Sequence, residues 1–191
     1  MRRAAALAMS AGLACLPLAV TAEAPFGGAI GGSFELTDQT GTMRSEVNPD
    51  GHPQLLFFGY SECQGICSHA LPTMAQLTDR LAEEGHPVTP VLIAIDPELD
   101  TVDRLATAAP EIHPDFVGLT GTPEELEAAR AAFQVEIEKL FEDPAGRPVY
   151  AHGSFIYLLD AEGAVQTLLP PVLSVERMTE IALGYFEAPG S

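Results

Sequence analysis

Cys63 and Cys67 are the residues whose type and spacing point most directly to chemistry, with Gln64, Gly65 and Ile66 between them. A thiolate is both a nucleophile and a metal ligand. A disulfide across so short a loop restrains the unfolded chain little and contributes little stability. Close pairs of this kind are more often redox-active or metal-binding. Dithiol redox turns commonly hold two residues between the cysteines; the third residue here widens the bite, which suits an ion held between two sulfurs. If a helix begins near the motif, positions i and i+4 bring both sulfurs to one face. Thiolates are soft ligands that favour copper, zinc or the iron of iron–sulfur clusters over harder ions. Packing alone accounts for Cys67, which continues an apolar stripe with Leu71 and Met74, but not for Cys63, set among the polar Ser61, Glu62 and Gln64.

Two thiolates leave a metal site incomplete, and the chain offers five histidines. His52, His86 and His113 each precede a proline, which places them in turns as surface bystanders. His69 lies two residues beyond Cys67, where a helical side chain points to another side. His152 stands just before an apolar strand predicted to start at Ser154, where a lone histidine serves structure as readily as ligation.

The elements that must position these residues follow from periodicity. Leu55, Leu56, Phe57, Phe58 and Tyr60 form an apolar, aromatic-rich run suited to a central strand covered on both faces. Leu71, Met74, Leu77 and Leu81 then recur at spacings of three and four, the stripe of a helix packed on one side. The dithiol therefore falls at a strand–helix junction, where the helix dipole and unpaired N–H groups favour thiolate. Upstream, residues 33–36 and 42–45 suggest a short hairpin around a polar turn at 37–41.

Downstream, 88–95 reads as a second buried strand, broken by Asp96-Pro97, and Asp100 or Thr101 caps a helix running through Ala109. Residues 116–119 give a third strand. Thr122, Pro123 and Glu125 are spaced as N-cap, N1 and N3 of the next helix. Residues 135–141 are open between strand and loop, and 142–146 reads as a loop. Segments 154–159 and 165–169 pair as a hairpin around 160–163, and Ser174 caps a last helix with Val175, Met178, Ile181 and Tyr185 on one face. This order predicts an α/β fold with helices on both faces of a central mixed sheet. A dithiol at its first strand–helix junction makes it thioredoxin-like, with an N-terminal hairpin extension.

The 191 residues allow one domain with a sizeable core. With 27 acidic against 9 basic residues and a net charge of −18, the chain is poorly suited to neutralise nucleic-acid phosphates, so no nucleic acid is expected as a partner. Arg2 and Arg3 ahead of an apolar run to Val20, with Ala22 and Ala24 following, predict that 1–24 is an export signal or an N-terminal anchor. A lipid anchor at Cys15 fits less well, because Leu13 stands one place too close to it. Residues 25–191 are then the functional domain, placed in the periplasm, with membrane association open through the N-terminus.

Several motifs in order also resemble one known family. They are Gly32-Ser33-Phe34-Glu35-Leu36-Thr37-Asp38-Gln39, Phe57-Phe58-Gly59-Tyr60 leading to Cys63 and Cys67, and Ile95-Asp96-Pro97-Glu98-Leu99-Asp100-Thr101. After them come Gly118-Leu119-Thr120-Gly121-Thr122-Pro123 and His152-Gly153-Ser154 before Phe155-Ile156-Tyr157-Leu158-Leu159-Asp160. Over about residues 31–186 the chain resembles the Sco/SenC family, thioredoxin-like copper proteins that serve assembly of the copper A centre of cytochrome c oxidase. The resemblance implies one copper ion, Cu(I) or Cu(II), held by Cys63, Cys67 and His152. It implies a metallochaperone delivering copper by ligand exchange to the oxidase subunit carrying copper A, or to another cuproprotein. No bond-making catalysis is required of it.

The alternative is a thiol–disulfide oxidoreductase in which Cys63 and Cys67 reduce a partner's cysteines, itself recharged by a periplasmic thioredoxin-like reductant. Asp96 matches an acidic position near the site, for which a role behind the ligands or in docking stands beside a plain turn-forming Asp-Pro. Gln64 and Ser68 stand where the family commonly has proline, Glu62 where an aromatic or histidine is common, and Ala151 where an acidic residue precedes the histidine.

Overall fold

The computed structural model describes residues 30–61 and 67–187, Cys67 by its backbone only. The predicted signal at 1–24, with Cys15, lies outside the described residues, as do Glu62, Cys63 and Gln64. In chain order the first elements are β1 (Leu36–Asp38), β2 (Met43–Arg44), β3 (Gln54–Gly59), α1 (Cys67–Glu83), β4 (Thr89–Ala94), α2 (Val102–Ile112) and β5 (Val117–Thr120). They are followed by α3 (Pro123–Ala132), β6 (Ile137–Glu142), β7 (Pro148–His152), β8 (Ile156–Leu159), β9 (Val165–Leu169) and α4 (Val175–Phe186).

Every residue of β3 is buried, as its unbroken apolar run predicts. It lies inside a seven-stranded mixed sheet of order β2-β1-β5-β4-β3-β8-β9, parallel to β4 and antiparallel to β8. Side chains alternate across the sheet, so Phe57 and Phe58 face opposite layers. Phe57 is in register with Leu92, and Leu92 with Gly118. A Cβ on Gly118 would come within 3.0 Å of Leu105 on α2, which places α2 over the Phe57 face. α1 packs against α2 and α4 in the same layer, and Leu71, Met74, Leu77 and Leu81 are buried along it. Phe58 meets the other layer, where Phe133, the C-cap of α3, lies with its ring 5.5 Å from Phe58, 5.4 Å from Tyr157 and 6.2 Å from Phe34. Helices on both faces of a mixed sheet are thus what the element order predicted.

Some elements depart from expectation. The N-terminal hairpin forms, but not ahead of the main sheet: β1 pairs antiparallel with β2 and with β5, so the hairpin extends that sheet. Its turn is also shorter, because Thr37 and Asp38 belong to β1; the Asp38 carboxylate accepts from Thr40 N, Thr42 N and Arg44 Nε and so closes the turn behind the strand. α2 continues past Ala109 to Ile112, with Thr101 as its N-cap. The open segment 135–141 is resolved as strand β6, which pairs with β7 across a bulge to form a second, two-stranded sheet. The capping box at Thr122 and Glu125 forms as its spacing predicted.

Phe133 is fully buried, joins three aromatic rings, and its carbonyl accepts the Tyr157 hydroxyl at 3.0 Å. Phe133→Ala should therefore destabilise the fold by about 3–5 kcal/mol, read as a fall in the denaturant midpoint at unchanged slope. A loss below about 1 kcal/mol would show that this face of the sheet is not a principal core.

Candidate metal centre

The site is built at one pole of the sheet. β3, β4 and β5 are parallel, so their carboxyl ends share that pole, and the chain leaves β3 there towards the cysteines. α1 returns from it with Cys67 as its first residue. The helical i, i+4 relation expected between the cysteines involves Cys63 and so lies outside the described residues.

His152 reaches the same pole by another route. β8 runs antiparallel to β3, with Leu56 opposite Tyr157, so the start of β8 lies beside the end of β3. His152 is four residues before β8. The sequence placed it in a loop before a strand starting at Ser154; it is instead the last residue of β7, paired with Ile137, and β8 begins at Ile156. An isolated two-stranded ribbon carries too weak an apolar pattern to announce itself, since β6 is mostly exposed.

The half-buried His152 ring stands edge-on to Phe57 at 5.8 Å and near-perpendicular to Tyr60 at 6.2 Å. Its Nδ1 is 2.8 Å from the carbonyl oxygen of Gly153. The tautomer that donates this bond carries its lone pair on Nε2, the form in which imidazole ligates metals. Among the described residues no group of three or more His, Cys, Asp or Glu side chains is assembled.

The other histidines lie elsewhere. His52, His86 and His113 precede β3, β4 and β5, which puts all three at the far pole. His86 stacks on Phe186 at 5.5 Å, and with His52 it lines a cleft of about 300 Å³. His113 caps α2, its Nε2 3.2 Å from Asp79 Oδ1. His69 is exposed on α1.

Two groups around the site escaped sequence reasoning. Tyr150 is two residues before His152 on β7, packs against Tyr60 at 6.4 Å, and donates its hydroxyl to Asp96 Oδ2 at 2.6 Å. Alternation along a strand would have aligned Tyr150 with His152, had β7 been recognised. Asp100, 1% exposed, accepts from Ser61 N at 2.8 Å and from Ser61 Oγ at 2.5 Å. Arg130 donates to the Ile95 carbonyl at 3.1 Å; burial pushes its guanidinium down against the opposing pull of Glu127, Asp96 and Tyr150. Asp96 is a turn former as well, its Oδ1 accepting from Glu98 N at 2.9 Å.

Burial, then the hydrogen bond and charge of Asp96, push the Tyr150 phenol from 10.0 up to about 12. A raised folded value means that below pH 10 both folded and unfolded chains keep the proton. Between pH 10 and 12 the unfolded chain alone releases it, and stability falls across that window. Difference titration of phenolate absorbance between the parent and Tyr150→Phe should show the lost group ionising near pH 12. Ionisation near pH 10 would mean that the bond to Asp96 is not held in solution.

The sequence profile of the SCO1/SenC family matches residues 22–187. Protein SenC of Rhodobacter capsulatus is 38% identical over 133 residues, 69% of this chain and 59% of that protein. The SCO2-like protein of Rickettsia conorii is 34% identical over 135 residues, 70% of this chain and 66% of that protein. The mitochondrial SCO1 homolog 1 of Arabidopsis thaliana is 36% identical over 135 residues, which are 70% of this chain and 40% of that protein. This chain therefore spans less than two thirds of these relatives. Among solved structures, copper-bound Arabidopsis thaliana ScoI superposes with a TM-score of 0.77 at 30% identity, over 83% of this chain and 98% of that one. Copper-bound Bradyrhizobium japonicum ScoI gives 0.71 at 28% identity, over 82% and 99%.

Proposed function

The chain belongs to the SCO1/SenC family, and from that premise we propose that it carries one copper ion on Cys63, Cys67 and His152 and passes it to a cuproprotein by ligand exchange. The observation that carries this reading is the position of His152 at the pole where β3 ends, its Nδ1 2.8 Å from the Gly153 carbonyl oxygen. Two soft thiolates and an imidazole suit copper, and the copper-bound plant and bacterial structures support the choice of metal. The partner this reading favours is the cytochrome c oxidase subunit carrying copper A. Residues 1–24 serve as the export signal or anchor and 25–191 as the copper domain, in the periplasm. N-terminal sequencing of exported material should find the mature chain starting near Glu23 or Pro25.

Cys67 at the start of α1 also favours a second reading, thiol–disulfide exchange with a partner's cysteines. The two readings separate on the histidines. The reduced chain should bind about one copper, and the Cys63–Cys67 disulfide almost none, because oxidation removes two thiolate ligands. His152→Ala should lower copper affinity sharply and shift the thiolate-to-copper absorption of the Cu(II) form, while His69→Ala, on the exposed side of α1, should change both little. Loss of copper in His69→Ala with retention in His152→Ala would reassign the third ligand. Indifference to both, with disulfide exchange intact, would put the oxidoreductase reading first.

A further inference from the structure

The short turn after β4 touches both halves of the site. Its backbone closes on itself, Leu99 N and Asp100 N both donating to the Asp96 carbonyl, at 3.2 and 3.1 Å. Its base is tied to the sheet: Ile95 N donates to Gly59 O at 2.9 Å, and the Ile95 carbonyl accepts from Arg130. From this anchored turn two carboxylates reach in different directions. Asp100, buried, holds the backbone and hydroxyl of Ser61, two residues before Cys63. Asp96 holds the hydroxyl of Tyr150, two residues before His152 on the same face of β7.

We infer that the 96–100 turn is a clamp whose two carboxylates, through Ser61 and Tyr150, set the separation between the cysteine turn and His152. The inference rests on the copper reading above. The physical reason is that β7 belongs to a two-stranded ribbon outside the main sheet, and a ribbon of that size does not hold its own position. Likewise Ser61 lies beyond the end of β3, two residues before Cys63. Both segments lie outside the main sheet, and each is hydrogen-bonded, two residues before its candidate ligand, to one five-residue turn. A charge-assisted bond of 2.5–2.8 Å at each contact is the kind that fixes a segment. Asp96, Asp100, Ser61 and Tyr150 are therefore positioning residues; none is required to touch the ion.

The test uses substitutions that remove one hydroxyl each, Tyr150→Phe and Ser61→Ala, in the reduced full chain titrated with copper. Each should raise the copper dissociation constant about tenfold, the usual cost of losing a group behind a metal ligand. Each should shift the thiolate-to-copper absorption, and Ser61→Thr, which keeps the hydroxyl, should restore both. The double variant should lose less than the product of the two singles, because a separation already released by one change is released only once. In the metal-free protein, Tyr150→Phe should speed amide hydrogen exchange along β7. Unchanged affinity and spectrum in both single variants, with His152→Ala still losing copper, would overturn the clamp and leave the copper reading standing. A lowered melting temperature with an unchanged spectrum would also overturn it, by reducing these bonds to general stability. Full copper affinity in Cys63→Ser and His152→Ala would remove the premise itself.

Discussion

The antiparallel pairing of β8 with β3 is the constraint on which the candidate site depends. β3 alone sends the chain to the cysteine turn, and nothing in its own sequence brings a histidine there. Placing Tyr157 opposite Leu56 returns the start of β8, and the residues before it, to the same end of the sheet. The pairing is held because both strands are fully buried, so a one-residue slip would turn Leu55, Phe57 and the leucines of β8 to the wrong layers. Register in the core thus becomes geometry at the site.

Around that axis the molecule divides its labour between a stiff sheet and short segments projecting from its edge. Phe57 belongs to both: its neighbours Leu92 and Gly118 set the approach of α2, while its ring borders His152. The projecting parts are a ribbon, β6 and β7, and the strand-to-helix turn. Ring contacts of Tyr150 and His152 with Tyr60 and Phe57 are joined there by polar contacts, and the carboxylates involved withstand burial because each accepts more than one hydrogen bond, as Asp100 does from Ser61 and Asp96 from Tyr150 and Glu98 N. The heavy acidic excess of the chain lies mostly elsewhere, on exposed helix faces and loops, where it serves solubility.

Much of the architecture was legible in the residues. The unbroken run at β3, the three-four stripe of α1, the proline and glutamate after Thr122 and the turn at Asp160 each obey a local rule, and each forms where that rule puts it. The ribbon was not legible, because Leu140 and Phe141 are exposed rather than alternating with a buried face. His152 was therefore read as a loop residue although it ends a strand. Tyr150 and Ser61 were passed over, and Asp100 was read only as a helix cap, for a related reason: their partners are 54 and 39 residues away, and no local pattern records such pairs.

What the sequence by itself determined is the inventory: two thiols at a strand–helix junction, five histidines of which three sit before prolines, and an order of elements that implies a mixed sheet between helices. These are properties of neighbouring residues, and short-range sterics and hydrophobic periodicity are enough to read them. What only the tertiary structure decided is which histidine stands at the pole where β3 ends and α1 begins. The three proline-flanked histidines go to the opposite end because parallel strands share their polarity, and His152 comes to the near end because β8 is antiparallel. Strand direction and register are set by burying the whole apolar surface at once, a condition no single stretch of chain contains.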